Sequence, residues 1–166
     1  RLEENAGAVE AMVAIDLGAQ IAWQHLLTVN LVANGDFTSG TASWTATGME
    51  DSANFAAYGV AASPTGGRFT ELEGYNTGNP GMTNAISQTI ATSAGEGYLF
   101  SIDGATRGGN TGDRISFIAA GSTLATVTTN SAWAGYSAAF TAAAATTTIR
   151  LQSAGSVSGN VASIGP

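Results

Sequence analysis

The chain has 166 residues, 44% of them hydrophobic and only 10% charged, with five arginines against twelve acids for a net charge of −7. That balance excludes the basic groove that nucleic acid requires, and equally attachment to an anionic membrane surface. The absence of cysteine excludes disulfides, thiolate metal sites and a cysteine nucleophile, and leaves secretion undecided.

Residues 2–27 differ in pattern from the remainder of the chain. Val9, Val13, Leu17 and Ile21 recur at every fourth position, the spacing of one helical face, and Glu3 and Glu4 suit a helix N-terminus. This predicts a short amphipathic α-helix, interrupted by Gly7 and Gly18, with "AVEAMVAIDLG" as a strand of a preceding domain as the alternative. A single apolar-striped segment cannot bury its own face. Residues 1–28 are therefore expected to be a docking or oligomerisation leader, with self-association or docking to a larger assembly through residues 2–27. Glu10, Asp16, Gln20, Gln24 and His25 interrupt the apolar window, so no membrane insertion is expected. Acids in place of a basic leader argue against a signal peptide. Arg1 and Pro166 read as the ends of a piece of a longer protein.

From residue 29 the pattern turns to β. Asn30 to Ala33 is the expected first strand, Asn34-Gly35-Asp36 its turn, and Phe37 and Trp44 the anchors of one end of the fold. The stretch from Glu50 to Gly81 is loop-rich and holds Phe55, Tyr58, Arg68, Phe69 and Tyr75. Within it Glu71 and Glu73 share one face of a strand. Two carboxylates so placed are the minimum for glycosidic cleavage, but the reading adopted is a solvated strand face.

Further on, "GYLFSIDG" alternates Tyr98, Phe100 and Ile102 against Leu99, Ser101 and Asp103. "RISFIAAG" sets Ile115 and Phe117 against Arg114 and Ser116. "YSAAF" keeps Tyr136, Ala138 and Phe140 in phase and leaves Trp133 at a strand entry or bulge. "TTTIRLQS" turns Ile149 and Leu151 inward. "GGNTGD" reads as a hairpin turn and "TAAAATTT" as a strand edge and turn. Many short strands punctuated by Gly-rich turns, with no crossover helices, predict an all-β antiparallel β-sandwich over residues 29–166.

The sole histidine, His25, lies in the leader, so neither a Ser-His-Asp constellation nor a multi-histidine zinc site can be assembled in the β-domain. Aromatic rings beside Arg and Glu suit sugar recognition instead. A ring face stacks on the apolar C–H face of a sugar while planar polar groups bind its hydroxyls. Phe55, Tyr58 and Tyr75 are the candidate rings, with Arg68, Glu73 and Arg107 as polar partners.

The motifs also occur in a familiar order. "LVANGDFTSGTASWTATG", "AISQTIATSAGEGYLFSIDG", "SAWAGYSAAFTAAAATTTIRLQS" and "GNVASIGP" together resemble the galactose-binding-like jelly rolls, in particular carbohydrate-binding modules of the family 4/9 and 22 type. The resemblance covers about residues 30–166. It implies a jelly roll that binds polysaccharide without cleaving it, on an extracellular or surface-displayed protein. It also implies structural calcium between the first and closing strands. Thr38 and Gly159 stand where that pattern has Glu and Asp, which leaves Asp36, Asn160 and backbone carbonyls as candidate calcium ligands. Trp44 and Trp133 match positions that pack the sandwich. The competing expectation is a structural or adhesive subunit of an assembly, such as a phage-like head or tail fibre, a spike or a surface layer, docked through the leader helix.

Overall fold

The computed structural model describes residues 10–16, 21–27, 29–47, 49–64, 67–72, 84–108, 113–154 and 162–165. The chain divides into two compact units, Arg1–Leu31 and Val32–Pro166.

In the first unit, β1 (Glu10–Asp16) and β2 (Ile21–Leu27) form an antiparallel pair, with Val13 opposite Gln24 and Ile15 opposite Ala22. Glu10–Asp16 and Ile21–Leu27 are thus strands, and the rest of the stretch over which the fourfold spacing predicts a helix lies outside the described residues. Two periodicities coexist in this stretch. Ala11, Val13 and Ile15 also alternate with period two, and β-branched residues favour extended backbone.

The second unit is built from β3 (Thr45–Thr47), β4 (Met49–Ser52), a 3-10 turn (Phe55–Tyr58), β5 (Phe69–Leu72), β6 (Ala85–Ala91) and β7 (Gly97–Thr106), then β8 (Arg114–Ala119), β9 (Ser122–Thr128), β10 (Ala134–Thr141), β11 (Thr146–Ser153) and β12 (Ala162–Gly165). They make two five-stranded antiparallel sheets, ordered β10-β7-β12-β5-β4 and β3-β6-β11-β8-β9. This is the β-sandwich jelly roll the strand pattern predicts.

Period-two alternation decides which side chains fill the space between the sheets. Leu72, Phe100, Ile102 and Ala138 come from the first sheet, and Ile86, Ile90, Ile115, Phe117, Ile149 and Leu151 from the second. Phe100 meets Phe117 edge-on across the gap, with centroids 5.1 Å apart. Tyr136, Ala138 and Phe140 lie opposite Ile102, Phe100 and Tyr98, as the phasing requires. The β8–β9 hairpin closes on Ala120 and Gly121, both at positive φ (48° and 81°), the backbone of a type I′ turn.

Asn30 to Ala33 is not a strand, which corrects the expectation for that segment. A side chain takes the place of a ladder partner there. Gln88, buried on β6, accepts from the Ala33 N–H at 2.8 Å and donates to the Ala33 carbonyl at 2.9 Å and the Ser43 carbonyl at 3.1 Å. The turn after it is held by Asn34, at φ 51°, whose side chain donates to the carbonyls of Gly40 and Ala42 and accepts from the Ser39 N–H. Phe37, only 2% exposed, stacks against Trp44 at 5.7 Å, and the indole N–H bonds the Asn34 carbonyl. Both rings anchor the sandwich, as expected from the sequence.

Candidate functional site

Leu72 points into the core, so its strand neighbours Phe69 and Glu71 emerge on the opposite, outer face of the first sheet. A residue on an outer face is normally wet. Phe69 is 0% and Glu71 2% exposed, so other groups cover them.

The cover is aromatic. Asn54 caps the 3-10 turn, its Oδ1 accepting from the Ala57 N–H at 3.3 Å, and Gly59 ends it in the left-handed region. The turn sets Phe55 over Phe69 (centroids 4.9 Å) and Tyr58 edge-on to the same ring (5.0 Å). Trp133, at the entry to β10 as its phase predicts, meets Phe55 edge-on at 6.3 Å and donates its indole N–H to the Ala61 carbonyl at 2.7 Å. Phe55, Tyr58 and Trp133 are each half-buried.

The polar element is Arg107, one residue beyond β7. Its Nη1 lies 3.1 Å from Glu71 Oε1, and its guanidinium sits over the Tyr58 ring at 4.8 Å. The ion pair is asymmetric, with Arg107 38% exposed and Glu71 2%. A buried carboxylate is tolerated only with compensating polar contacts, and here it fixes the guanidinium beside the aromatic patch. Cation–π contact with Tyr58 locks it further.

The turn and the end of β7 approach at backbone distance. The Gly108 N–H donates to the Tyr58 carbonyl at 2.9 Å, and a Cβ at Gly108 would stand 2.6 Å from the Gly59 carbonyl oxygen. Gly108→Ala must therefore lift the turn. We expect a loss of about 1–3 kcal/mol, with the near-UV circular dichroism of the aromatic patch reduced and the far-UV strand signal retained. An unchanged near-UV spectrum would show that the turn is not seated through Gly108.

The structure thus brings together three of the residues predicted to bind a ligand, Phe55, Tyr58 and Arg107. Arg68 is half-buried immediately before β5. Glu73 and Tyr75 lie outside the described residues. Glu71, expected on a solvated face, is instead buried against Arg107, because the turn folds back over β5. Phe69, Glu71 and Trp133 join the patch without being among the ligand residues expected from the sequence. The out-of-phase position of Trp133 and the alternation of Phe69 and Glu71 with Thr70 and Leu72 are the sequence signals that point to them.

For calcium, Asp36 is exposed and Asn160 lies outside the described residues. Asp36 Oδ1 accepts from the backbone N–H and the hydroxyl of Thr38, at 3.2 and 3.0 Å, an Asx turn within its own loop. Among the described residues no group of three or more His, Cys, Asp or Glu could hold a metal ion. A hard cation wants six or more oxygens, to which backbone carbonyls and amide oxygens also contribute.

No protein-family model and no curated protein sequence matches this chain. Solved structures match it in fold. Tailspike protein 4 of bacteriophage CBA120, in its enzymatically active domain, aligns with TM-score 0.58 and 14% identity over 82% of this chain and 20% of its own. The module TmCBM61, solved in complex with β-1,4-galactotriose, aligns with TM-score 0.57 and 12% identity over 82% of this chain and 94% of its own. The N-terminal CBM22-1-CBM22-2 tandem domain of Paenibacillus barcinonensis Xyn10C aligns with TM-score 0.53 and 14% identity over 78% and 41%. The chain therefore spans a fifth of the solved tailspike domain and most of the single module.

Proposed function

We propose that residues 32–166 form a non-catalytic glycan-binding module that attaches an exported or surface-displayed protein to polysaccharide. The observation that carries this reading is the patch of half-exposed Phe55, Tyr58 and Trp133 with Arg107 locked beside it by Glu71, on the outer face of a sandwich. Rigid aromatic rings with a fixed guanidinium at their edge match both halves of a sugar, its C–H face and its hydroxyls. The likeness in fold to a module solved with a galactotriose supports the same reading. Glu71, an acid of the patch, is engaged with Arg107 and buried, which suits positioning rather than proton transfer.

A glycan array and calorimetry test this. Wild type is expected to bind at least one glycan, and Tyr58→Ala and Trp133→Ala are each expected to weaken that binding tenfold or more while the far-UV spectrum is kept. Binding unaffected by both changes would remove the patch from the site. No binding to any glycan would favour a purely structural role. Calcium held by Asp36 and Asn160 stays part of the proposal. Chelation by EDTA is expected to lower the unfolding temperature if it is structural, and no shift would dismiss it.

A second reading, a structural or adhesive subunit of an assembly such as a phage-like tail fibre or spike, is favoured by the likeness to a segment of a tailspike. The β1–β2 pair adds to it, because two strands by themselves are at best marginally stable in water and gain from a partner surface. Self-association through that pair predicts an oligomer in light scattering of the full chain, reduced to monomer by Val13→Asp with Ile15→Asp. A monomeric wild type would end this docking role.

A further inference from the structure

We propose that the same outer face carries a second subsite, centred on Asp103, that reads two neighbouring hydroxyls of an uncharged sugar. The inference rests on the glycan-binding function proposed for the aromatic patch and deepens it.

Phe100 and Ile102 enter the core, so Leu99, Ser101 and Asp103 alternate onto the outer face of β7, the face of Ala105 and Arg107. The register neighbours of Asp103 are Gly135 on β10 and Gly165 on β12. In the middle of a sheet a side chain ordinarily has a cross-strand neighbour on each flank. Asp103 has none. A Cβ placed on Gly135 would lie 3.8 Å from Asp103 Oδ1, so any larger residue there would occupy the space beside the carboxylate.

Two glycines thus open a slot around one half-buried acid. The slot belongs to a shallow cleft of about 270 Å³ lined by Leu99, Ser101, Asp103, Gly135, Tyr136 and Ser137. Ser101 stands opposite Ser137, which places two hydroxyls next to the acid. Leu99, 69% exposed, adds an apolar contact for a sugar's C–H face.

A carboxylate is an acceptor with two oxygens, matched to a pair of adjacent O–H donors. Asp103 and Arg107 are four residues apart, about 13 Å along an extended strand, so one chain of sugars can cross both the cleft and the aromatic patch. Charge sets the class of sugar. The carboxylates of Asp103 and Glu71 outnumber the guanidinium of Arg107, which is already drawn to Glu71. A uronate or sulfated sugar over Asp103 would meet like charge, whereas a neutral sugar meets acceptors it can satisfy.

Affinity electrophoresis and calorimetry on β-1,4-galactotriose, soluble xylan and polygalacturonate test the subsite, with Tyr58→Ala run in parallel. Wild type is expected to bind a neutral member and not polygalacturonate. Asp103→Ala is expected to lose tenfold or more in affinity for that neutral ligand. Gly135→Val, which fills the slot and keeps the charge, is expected to lose as much. Asp103→Asn retains one acceptor and should lose about threefold while gaining affinity for polygalacturonate. Wild-type affinity in both Asp103→Ala and Gly135→Val, with Tyr58→Ala defective, would overturn the subsite and leave the glycan-binding reading intact. Preference of wild type for polygalacturonate would overturn the charge argument. Wild type that binds no member, and no glycan on the array, would overturn both.

Discussion

Phe69→Ala is expected to destabilise the second unit by about 3 kcal/mol, at the lower end of the range for deleting a buried phenylalanine. The ring is 0% exposed and supports Phe55 at 4.9 Å and Tyr58 at 5.0 Å, so its removal leaves a cavity beneath the turn. The lower end applies because the cover is a single 3-10 turn, which can settle into the gap more readily than a sheet can. The sandwich core lies on the other side of β5 and should survive. Urea denaturation should therefore show a lower midpoint with an unchanged slope, while the glycan binding proposed for the patch should fall with its collapse. Phe69→Leu restores most of the volume and should recover most of the stability but not the ring packing. A loss below about 1 kcal/mol for the alanine variant would mean that the turn does not depend on Phe69.

Gln88→Ala is expected to cost about as much by a different route, roughly 3 kcal/mol from three bonds at about 1 kcal/mol each. The Gln88 amide serves both backbone groups of Ala33 and the carbonyl of Ser43. Truncation strips partners from part-buried backbone polar groups, and a side chain that is only 8% exposed has little water at hand to replace them. The opening segment should then detach from β6. Hydrogen exchange at Ala33 would accelerate, and the near-UV signal of Phe37 and Trp44 would weaken. Gln88→Glu is the informative companion, since it keeps the acceptor for the Ala33 N–H and loses both donations. At neutral pH it should fall below alanine, because a carboxylate there is buried against two carbonyl oxygens. Equal stability of all three proteins would remove Gln88 as the clamp.

These two residues mark where sequence reasoning reaches and where it stops. In "GYLFSIDG", "RISFIAAG" and "TTTIRLQS" alternation alone assigns the inward residues, because a strand's side-chain period is two whatever the strand pairs with. The same rule places Phe69 opposite in sense to Leu72, but it cannot say that a turn will fold back to bury Phe69 and Glu71. Gln88 reads as an ordinary inward polar residue, and only the proximity of Ala33 and Ser43, far away in sequence, makes it a substitute strand. In residues 2–27 the fourfold and twofold spacings compete, and the structure has strands over the described segments.

The site divides along the same line. The absence of cysteine and the single histidine at position 25 leave the β-domain without the residue types for thiol chemistry or histidine-based catalysis, and the net charge of −7 argues against a nucleic-acid partner. Strand phasing determined the sandwich and its core, and the motif order determined which kind of jelly roll it resembles. Tertiary structure alone decided that Phe55, Tyr58, Trp133, Arg107 and Glu71 meet on one outer face. It also decided that Asp103 stands between two glycines. Both outcomes come from pairing between strands distant in the chain, β7 with β10 and β12, and β5 with β12. Local periodicity sets which way a side chain points. Register across the sheet sets what it points beside.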